Sequence, residues 1–247
     1  MSTKMNWIVI AGGPGLSNIY LKQGLQQFAN IHRFHFYDMA GSPESTNKEP
    51  SIADLVAQIA EVANRENLTE YGLITHSFGN YLALRALQQD DHIKALIMLN
   101  PVPFSYAAWQ DGLADILKQI PDALLQQINT LEFSQQAAAG AQIFSLLYPY
   151  YIGNKQTRLP CSVPFDLQVC NAIAANITDY NDLDLITSIK IPMVRIVGAC
   201  DPFYRETKVL VEDTIVMPEV GHYPFFEDAH SFGQAFTTAI KLIQQQL

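Results

Sequence analysis

The apolar positions of this chain follow two alternating rhythms. Trp7-Ile8-Val9-Ile10-Ala11 is an unbroken apolar run, the pattern of a strand buried on both faces. Residues 18–29 then take helical spacing through Ile19, Leu25 and Phe28, and Ile31 to Tyr37 predicts the next strand, with a loop at 41–45. Ser51 is an N-cap residue ahead of a stripe formed by Ile52, Leu55, Val56, Ile59 and Val62, which predicts a helix to about Asn67. A third apolar run, Tyr71-Gly72-Leu73-Ile74-Thr75, ends at His76-Ser77, and an amphipathic run from Tyr81 to Gln89 begins almost at once. Ile93 to Leu99 predicts a further strand.

After Asn100-Pro101 the strands stop. From there to Ile191 the pattern is helical: Leu113, Ile116, Leu117 and Ile120 form one stripe, and Leu124, Leu125, Ile128 and Leu131 another, opened by Pro121. The first rhythm then resumes with strands at Met193–Val197 and Thr214–Met217. A closing helix, Ala229 to Leu247, turns Phe232, Phe236, Ile240 and Ile243 inward. Strands separated by helices predict an α/β fold with a mostly parallel sheet of about six strands and helices on both faces. Residues 1–100 and 191–247 make the core, and 101–190 a helical insertion.

Composition narrows the function classes. The chain has 247 residues, 49% hydrophobic and 16% charged, an ordinary balance for a globular protein. A net charge of −9 with no basic cluster argues against nucleic acid or an anionic membrane as partner, leaving a small-molecule substrate as the expectation. The apolar run near the N-terminus is too short for a signal segment or a membrane span, so a cytoplasmic location is expected. Cys161, Cys170 and Cys200 show no paired spacing and read as free thiols, while the six histidines include no zinc-type motif. No metal or cofactor is expected. Composition leaves the oligomeric state open.

Chemistry concentrates where predicted strands end. Ser77 stands at a strand-to-helix corner, Thr75-His76-Ser77-Phe78-Gly79, which lifts the hydroxyl out of the sheet above a helix N-terminus. Asp201 follows the strand ending in Val197-Gly198, and His222 lies in the loop Gly221-His222-Tyr223-Pro224. The order Ser…Asp…His supplies a nucleophile, an orienting acid and a base. Each has a plainer reading: a structural serine, a helix-capping aspartate, a loop histidine. Asn100 occupies the alternative acid position and cannot carry negative charge, while Asp228 sits where it should cap the last helix. Gly12-Gly13-Pro14-Gly15 fails as a dinucleotide loop, because Asn18 stands where a glycine is needed. An oxyanion hole is the better reading, with the Gly13 N–H as one donor and the Phe78 N–H as the other.

Together, Gly12-Gly13-Pro14-Gly15-Leu16-Ser17, Tyr37-Asp38-Met39-Ala40-Gly41-Ser42, His76-Ser77-Phe78-Gly79, Gly198-Ala199-Cys200-Asp201 and Gly221-His222-Tyr223-Pro224-Phe225-Phe226-Glu227 resemble the successive motifs of the α/β-hydrolase superfamily. The G-G-P-G form is similar to that of its proline iminopeptidase branch. The resemblance implies Ser77 as nucleophile, Asp201 as acid, His222 as base, oxyanion donors at Gly13 and Phe78, and the insertion as a lid. It also implies six parallel strands with the family's antiparallel starter absent. The sequence departs from the branch at Ala11, where the first motif usually has histidine, and at the elbow, usually G-G-S-W-G. Proline iminopeptidases hold the substrate ammonium with lid glutamates; here the lid acids Glu132, Asp166 and Asp179 match no such motif.

The resulting expectation is a serine hydrolase that cleaves an ester or amide of a small, largely apolar substrate through an acyl-enzyme. Trp109, Phe144, Tyr148 and Tyr151 are candidate pocket walls, with ordinary packing as the alternative use of such aromatics. A base must be neutral, so activity should fall on acidification through the histidine range. Two alternatives remain: proline iminopeptidase action, and a small-molecule-binding protein that keeps the fold without turnover. Whether Cys200 tunes Asp201 or fills space is open at this level.

Overall fold

The computed structural model describes residues 5–43, 45, 49–134, 138–204 and 211–247. Position 44 of the predicted 41–45 loop lies outside them. Six strands form one sheet: β1 (Asn6–Ile10), β2 (Arg33–Phe36), β3 (Tyr71–Ser77), β4 (Ile93–Pro101), β5 (Met193–Gly198) and β6 (Asp213–Met217). Their spatial order is β2-β1-β3-β4-β5-β6 and every pairing is parallel. The continuous apolar runs are explained by burial: every residue of β3 is buried, as are Trp7 to Ile10 of β1.

Helices surround the sheet. α1 (Ile19–Leu25), α2 (Ile52–Arg65) and α3 (Gly79–Ala86) belong to the first half, and α9 (Pro224–Glu227) and α10 (Ala229–Gln246) close the chain. Ser51 caps α2 through a capping box with Asp54, and Asp228 caps α10 by accepting from the Ser231 N–H, as the sequence predicts. Between β4 and β5 lie α4 (Tyr106–Leu117), α5 (Asp122–Phe133), α6 (Ala139–Leu147), α7 (Leu167–Ala175) and α8 (Leu183–Ser188), with no named strand.

Three local expectations are corrected. The 18–29 helix is α1 followed by a short 3₁₀ turn at Gln26–Phe28, and its inward face is Tyr20, Leu21 and Leu25, with Ile19 exposed. The strand predicted over 31–37 is shorter, and Ile31 is exposed in the turn that precedes it, its N–H bonded back to the Phe28 carbonyl. Leu117 lies on the solvent side of α4 while Ile116 and Ile120 are buried. In the two helices the apolar residue stands beside the buried stripe rather than in it.

The strand order reverses between β1 and β3: the chain leaves β1 for β2 on one side and later adds β3 on the other. Loops at the carboxyl ends of those two strands diverge there and leave a crevice. Gly12 to Gly15 and Ser77 border it.

Candidate active site

Ser77 is the last residue of β3 and has φ +52°, a left-handed conformation that a non-glycine side chain adopts at a cost. The strain follows from the turn, since α3 begins only two residues later. Gly79 permits it: a Cβ there would lie 2.6 Å from the Ala11 carbonyl oxygen and 2.8 Å from that of Ile10. Only glycine lets α3 pass so close to β1. Thr75, where the usual motif has its first glycine, is buried, and its hydroxyl has no hydrogen-bond partner among the described residues.

Asp201 and His222 meet although 21 residues apart. His222 Nδ1 lies 2.8 Å from Asp201 Oδ2, and both side chains are buried. Asp201 Oδ1 accepts from the Phe203 N–H at 2.8 Å, so the capping use also holds: one oxygen fixes the turn and the other faces the imidazole. With Nδ1 bound to the carboxylate, Nε2 is the nitrogen left for a reacting group. Ser77 and His222 line one cavity, together with Gly13 and Phe78. Among the described residues the Ser77 hydroxyl makes no hydrogen bond. Serine–base bonds in free enzymes commonly tighten only with substrate.

The two oxyanion candidates are placed alike. Among the described residues, neither the Gly13 N–H nor the Phe78 N–H donates to a protein acceptor. Gly13 has φ +46°, which favours glycine at this position. The glycine loop is sewn to the insertion: Leu16 and Phe165 form an antiparallel bridge, the Ser17 N–H donates to the Pro164 carbonyl at 3.0 Å, and the Asp166 N–H to the Gly15 carbonyl at 2.8 Å.

The cavity has a volume of about 160 Å³. All four predicted wall aromatics, Trp109, Phe144, Tyr148 and Tyr151, line it. They also pack, since Phe144 and Tyr148 are buried core members. Among the described residues, none that lines it is a carboxylate. The lid acids are occupied elsewhere or face out: Glu132 accepts from Asn171 Nδ2, Asp166 caps α7, and Asp179 is exposed. Cys170 also borders the cavity, and burial, with the Asp166 charge adding, pushes its thiol up to about 12. It is therefore a protonated, small apolar wall. Cys200 is an exposed free thiol outside the cavity. Among the described residues no cluster of His, Cys, Asp or Glu could hold a metal ion, and no helix is long and apolar enough to cross a membrane.

Four supporting residues have roles that the sequence motifs do not reveal. Asn100 sits at a bulge where β4 gains a residue against β3, at φ +43°. Its Nδ2 donates to Asp201 Oδ2 at 2.6 Å and to the Gly221 carbonyl at 3.0 Å. The position that lacks an acid thus braces Asp201, the candidate acid. Glu227 accepts backbone N–H groups on both sides of His222, from Gly221 (2.9 Å) and Tyr223 (3.1 Å), and from Gly153 and Asn154 of the insertion. His76 and Tyr20 complete the set, with His76 Nε2 2.8 Å from the His222 carbonyl oxygen. Asn100 had one sequence signal, its place at a strand end where an acid could stand.

Comparison with known proteins gives the same lineage. The chain is 29% identical over 136 residues to a proline iminopeptidase of Chitinophaga pinensis, covering 52% of this chain and 46% of that protein. It is 28% identical over 147 residues to a proline iminopeptidase of Heyndrickxia coagulans, covering 56% and 50%. The chain thus spans about half the length of these curated relatives. A crystal structure of a proline iminopeptidase-related protein from Thermus thermophilus superposes with a TM-score of 0.72 at 22% identity, over 99% of this chain and 91% of that one. The profile described as the alpha/beta hydrolase family matches residues 8–235, from β1 into α10 and across Ser77, Asp201 and His222, and the chain belongs to that family.

Proposed function

We propose that this hydrolase is a serine hydrolase acting through an acyl-enzyme on small, largely apolar esters or amides. One observation carries the reading: a serine held at positive φ on a strand-to-helix elbow shares a cavity with a histidine whose far nitrogen is bound to a buried aspartate. Ser77 Oγ attacks the substrate carbonyl carbon and its proton passes to His222 Nε2. Asp201 accepts the Nδ1–H, fixing the tautomer and stabilising the imidazolium. The oxygen that gains charge is received by the Gly13 and Phe78 N–H groups; removing one such donor typically costs about 3–4 kcal/mol in the barrier. The carbon–leaving-group bond breaks, the leaving group takes the proton from His222, and water activated by the same imidazole releases the acyl group.

The walls narrow the substrate. A cavity of about 160 Å³ is below the range of drug-sized ligand sites, and its lining is aromatic and aliphatic. Helices α4, α6 and α7 supply Trp109, Phe144 and Cys170, so the insertion acts as a lid that excludes water from the acyl site. Proline iminopeptidase action is the second reading, favoured by the relatives. Among the described residues the lining carries no carboxylate, which speaks against it, because a substrate's free ammonium would be desolvated there without a counter-charge.

A fluorophosphonate probe should label the wild type and not Ser77→Ala. A folded wild type that resists labelling would favour the non-catalytic binding alternative. Short-chain aryl esters should be turned over faster than proline arylamides; the reverse preference would establish the peptidase reading.

A further inference from the structure

His76, beside the proposed nucleophile, is buried and takes no part in the chemistry above. Its Nδ1 lies 2.8 Å from Tyr20 Oη and its Nε2 lies 2.8 Å from the His222 carbonyl oxygen. Tyr20 Oη in turn accepts the Gly12 N–H at 2.6 Å. The direction of every proton in this chain is determined. A carbonyl can only accept, so His76 carries its hydrogen on Nε2. Burial, with the charge of His222 adding, holds the His76 pKa well below the ordinary value, so the ring is neutral and Nδ1 is a lone pair. The Tyr20 hydroxyl therefore donates to Nδ1 and is left to accept from Gly12. Burial raises the Tyr20 phenol far above its ordinary pKa, so that proton stays in place.

We propose that Tyr20 and His76 are positioning residues that hold the glycine loop and the base loop at a fixed separation beneath Ser77. The inference rests on the serine hydrolase reading. One end of the chain fixes the peptide just ahead of the oxyanion donor Gly13, and the other fixes the carbonyl of the base itself. The middle member is covalently next to the nucleophile. The surroundings leave little room for slack. A Cβ on Gly12 would fall 2.7 Å from Ser77 Cβ and 2.9 Å from His76 Nδ1. The His76 ring is packed among His222, Tyr223 and Phe225, with centroids 4.8, 5.2 and 5.4 Å away. Three catalytic parts from three different loops are thus tied by one row of hydrogen bonds. Their alignment matters most in the transition state, where displacement of about 1 Å can cost roughly a hundredfold in rate.

Tyr20→Phe tests this, because Tyr20 does not line the cavity and the change removes a single oxygen. The rate constant of phosphonate labelling, and kcat on an aryl ester, should fall about 10- to 100-fold, with KM within about twofold. Titration should show the same fraction of reactive sites, which a loss of folded protein would not. Combined with His76→Gln, the double variant should be no slower than about the slower single one, as expected of residues acting as one unit. An unchanged labelling rate in Tyr20→Phe, a loss matching the fraction of sites lost, or fully additive effects would overturn the proposal. A second measurement needs no variant: imidazole nitrogen chemical shifts of the wild type should show His76 as the Nε2–H tautomer, and an Nδ1–H tautomer would refute the chain. Absence of Ser77-dependent labelling in the wild type would sink the hydrolase reading first, and the positioning role with it.

Discussion

Acidification offers a stringent test of the buried His76. In the folded protein its pKa lies well below the ordinary value, chiefly through desolvation, while in the unfolded chain it titrates near 6.5. The unfolded state therefore takes up a proton that the folded state refuses. With the folded pKa depressed, the stability from this group is fully present above about pH 6.5 and is lost as pH falls below it. The loss is up to ~1.4 kcal/mol per pH unit, or about 2 kcal/mol by about pH 5. For a domain of this size that corresponds to roughly 4–8 °C in Tm. Tyr20 and Tyr223, which pack against the ring, have pKa values raised by burial and keep their charge state in this window. His222 faces it as well, so the measurement must be a difference between proteins. Urea unfolding of wild type and His76→Gln at about pH 7.5 and about pH 5 isolates the contribution. The wild type should lose about 2 kcal/mol more than the variant over that interval, whatever their difference at the higher pH. Parallel losses would show that His76 takes up a proton in the folded state, and the tautomer argument would fall with that result.

Three further predictions follow from the packing around the site. Gly12→Ala places a methyl 2.7 Å from Ser77 Cβ, so kcat on an aryl ester should drop at least about a hundredfold; activity within about threefold of wild type would contradict the close approach. Asn100→Leu removes the amide that bridges Asp201 and the Gly221 carbonyl, and should cost about 1.5–3 kcal/mol, read by denaturant unfolding, because a carboxylate loses a buried donor. Arg85 forms a two-pronged ion pair with buried Asp182 (2.9 and 3.2 Å) and stacks 3.3 Å from the Tyr81 ring centroid, tying the end of the insertion to α3. Arg85→Ala should destabilise by about 3–5 kcal/mol and Arg85→Lys should recover only a minor part, since lysine lacks the planar fork; full recovery by lysine would refute the geometric reading.

The chain carries its architecture openly. Continuous apolar runs at Trp7–Ala11, Tyr71–Thr75 and Ile93–Leu99 read as strands covered on both faces, so a parallel sheet is legible without coordinates. The capping residues Ser51 and Asp228 are local devices, readable because their partners lie three residues away. Ser77, Asp201 and His222 could be singled out because each interrupts a strand-end pattern in a meaningful order. Periodicity fails where an apolar residue stands beside the buried stripe, as Ile19 and Leu117 do.

The supporting shell is another matter. Asn100 braces Asp201 only because a bulge turns its side chain toward a residue 101 positions away. His76 reaches the His222 carbonyl across 146 positions, and Glu227 gathers amides from two loops brought together by the fold. The cavity, with no carboxylate among its described lining residues, likewise exists only once α4, α6 and α7 are packed over the sheet. Sequence alone determined most of the buried faces and which residues stand at strand ends, because both follow from short-range patterning. Tertiary structure decided which distant groups satisfy one another, because a buried hydrogen-bonding partner is set by strand order and loop path, and neither leaves a local trace.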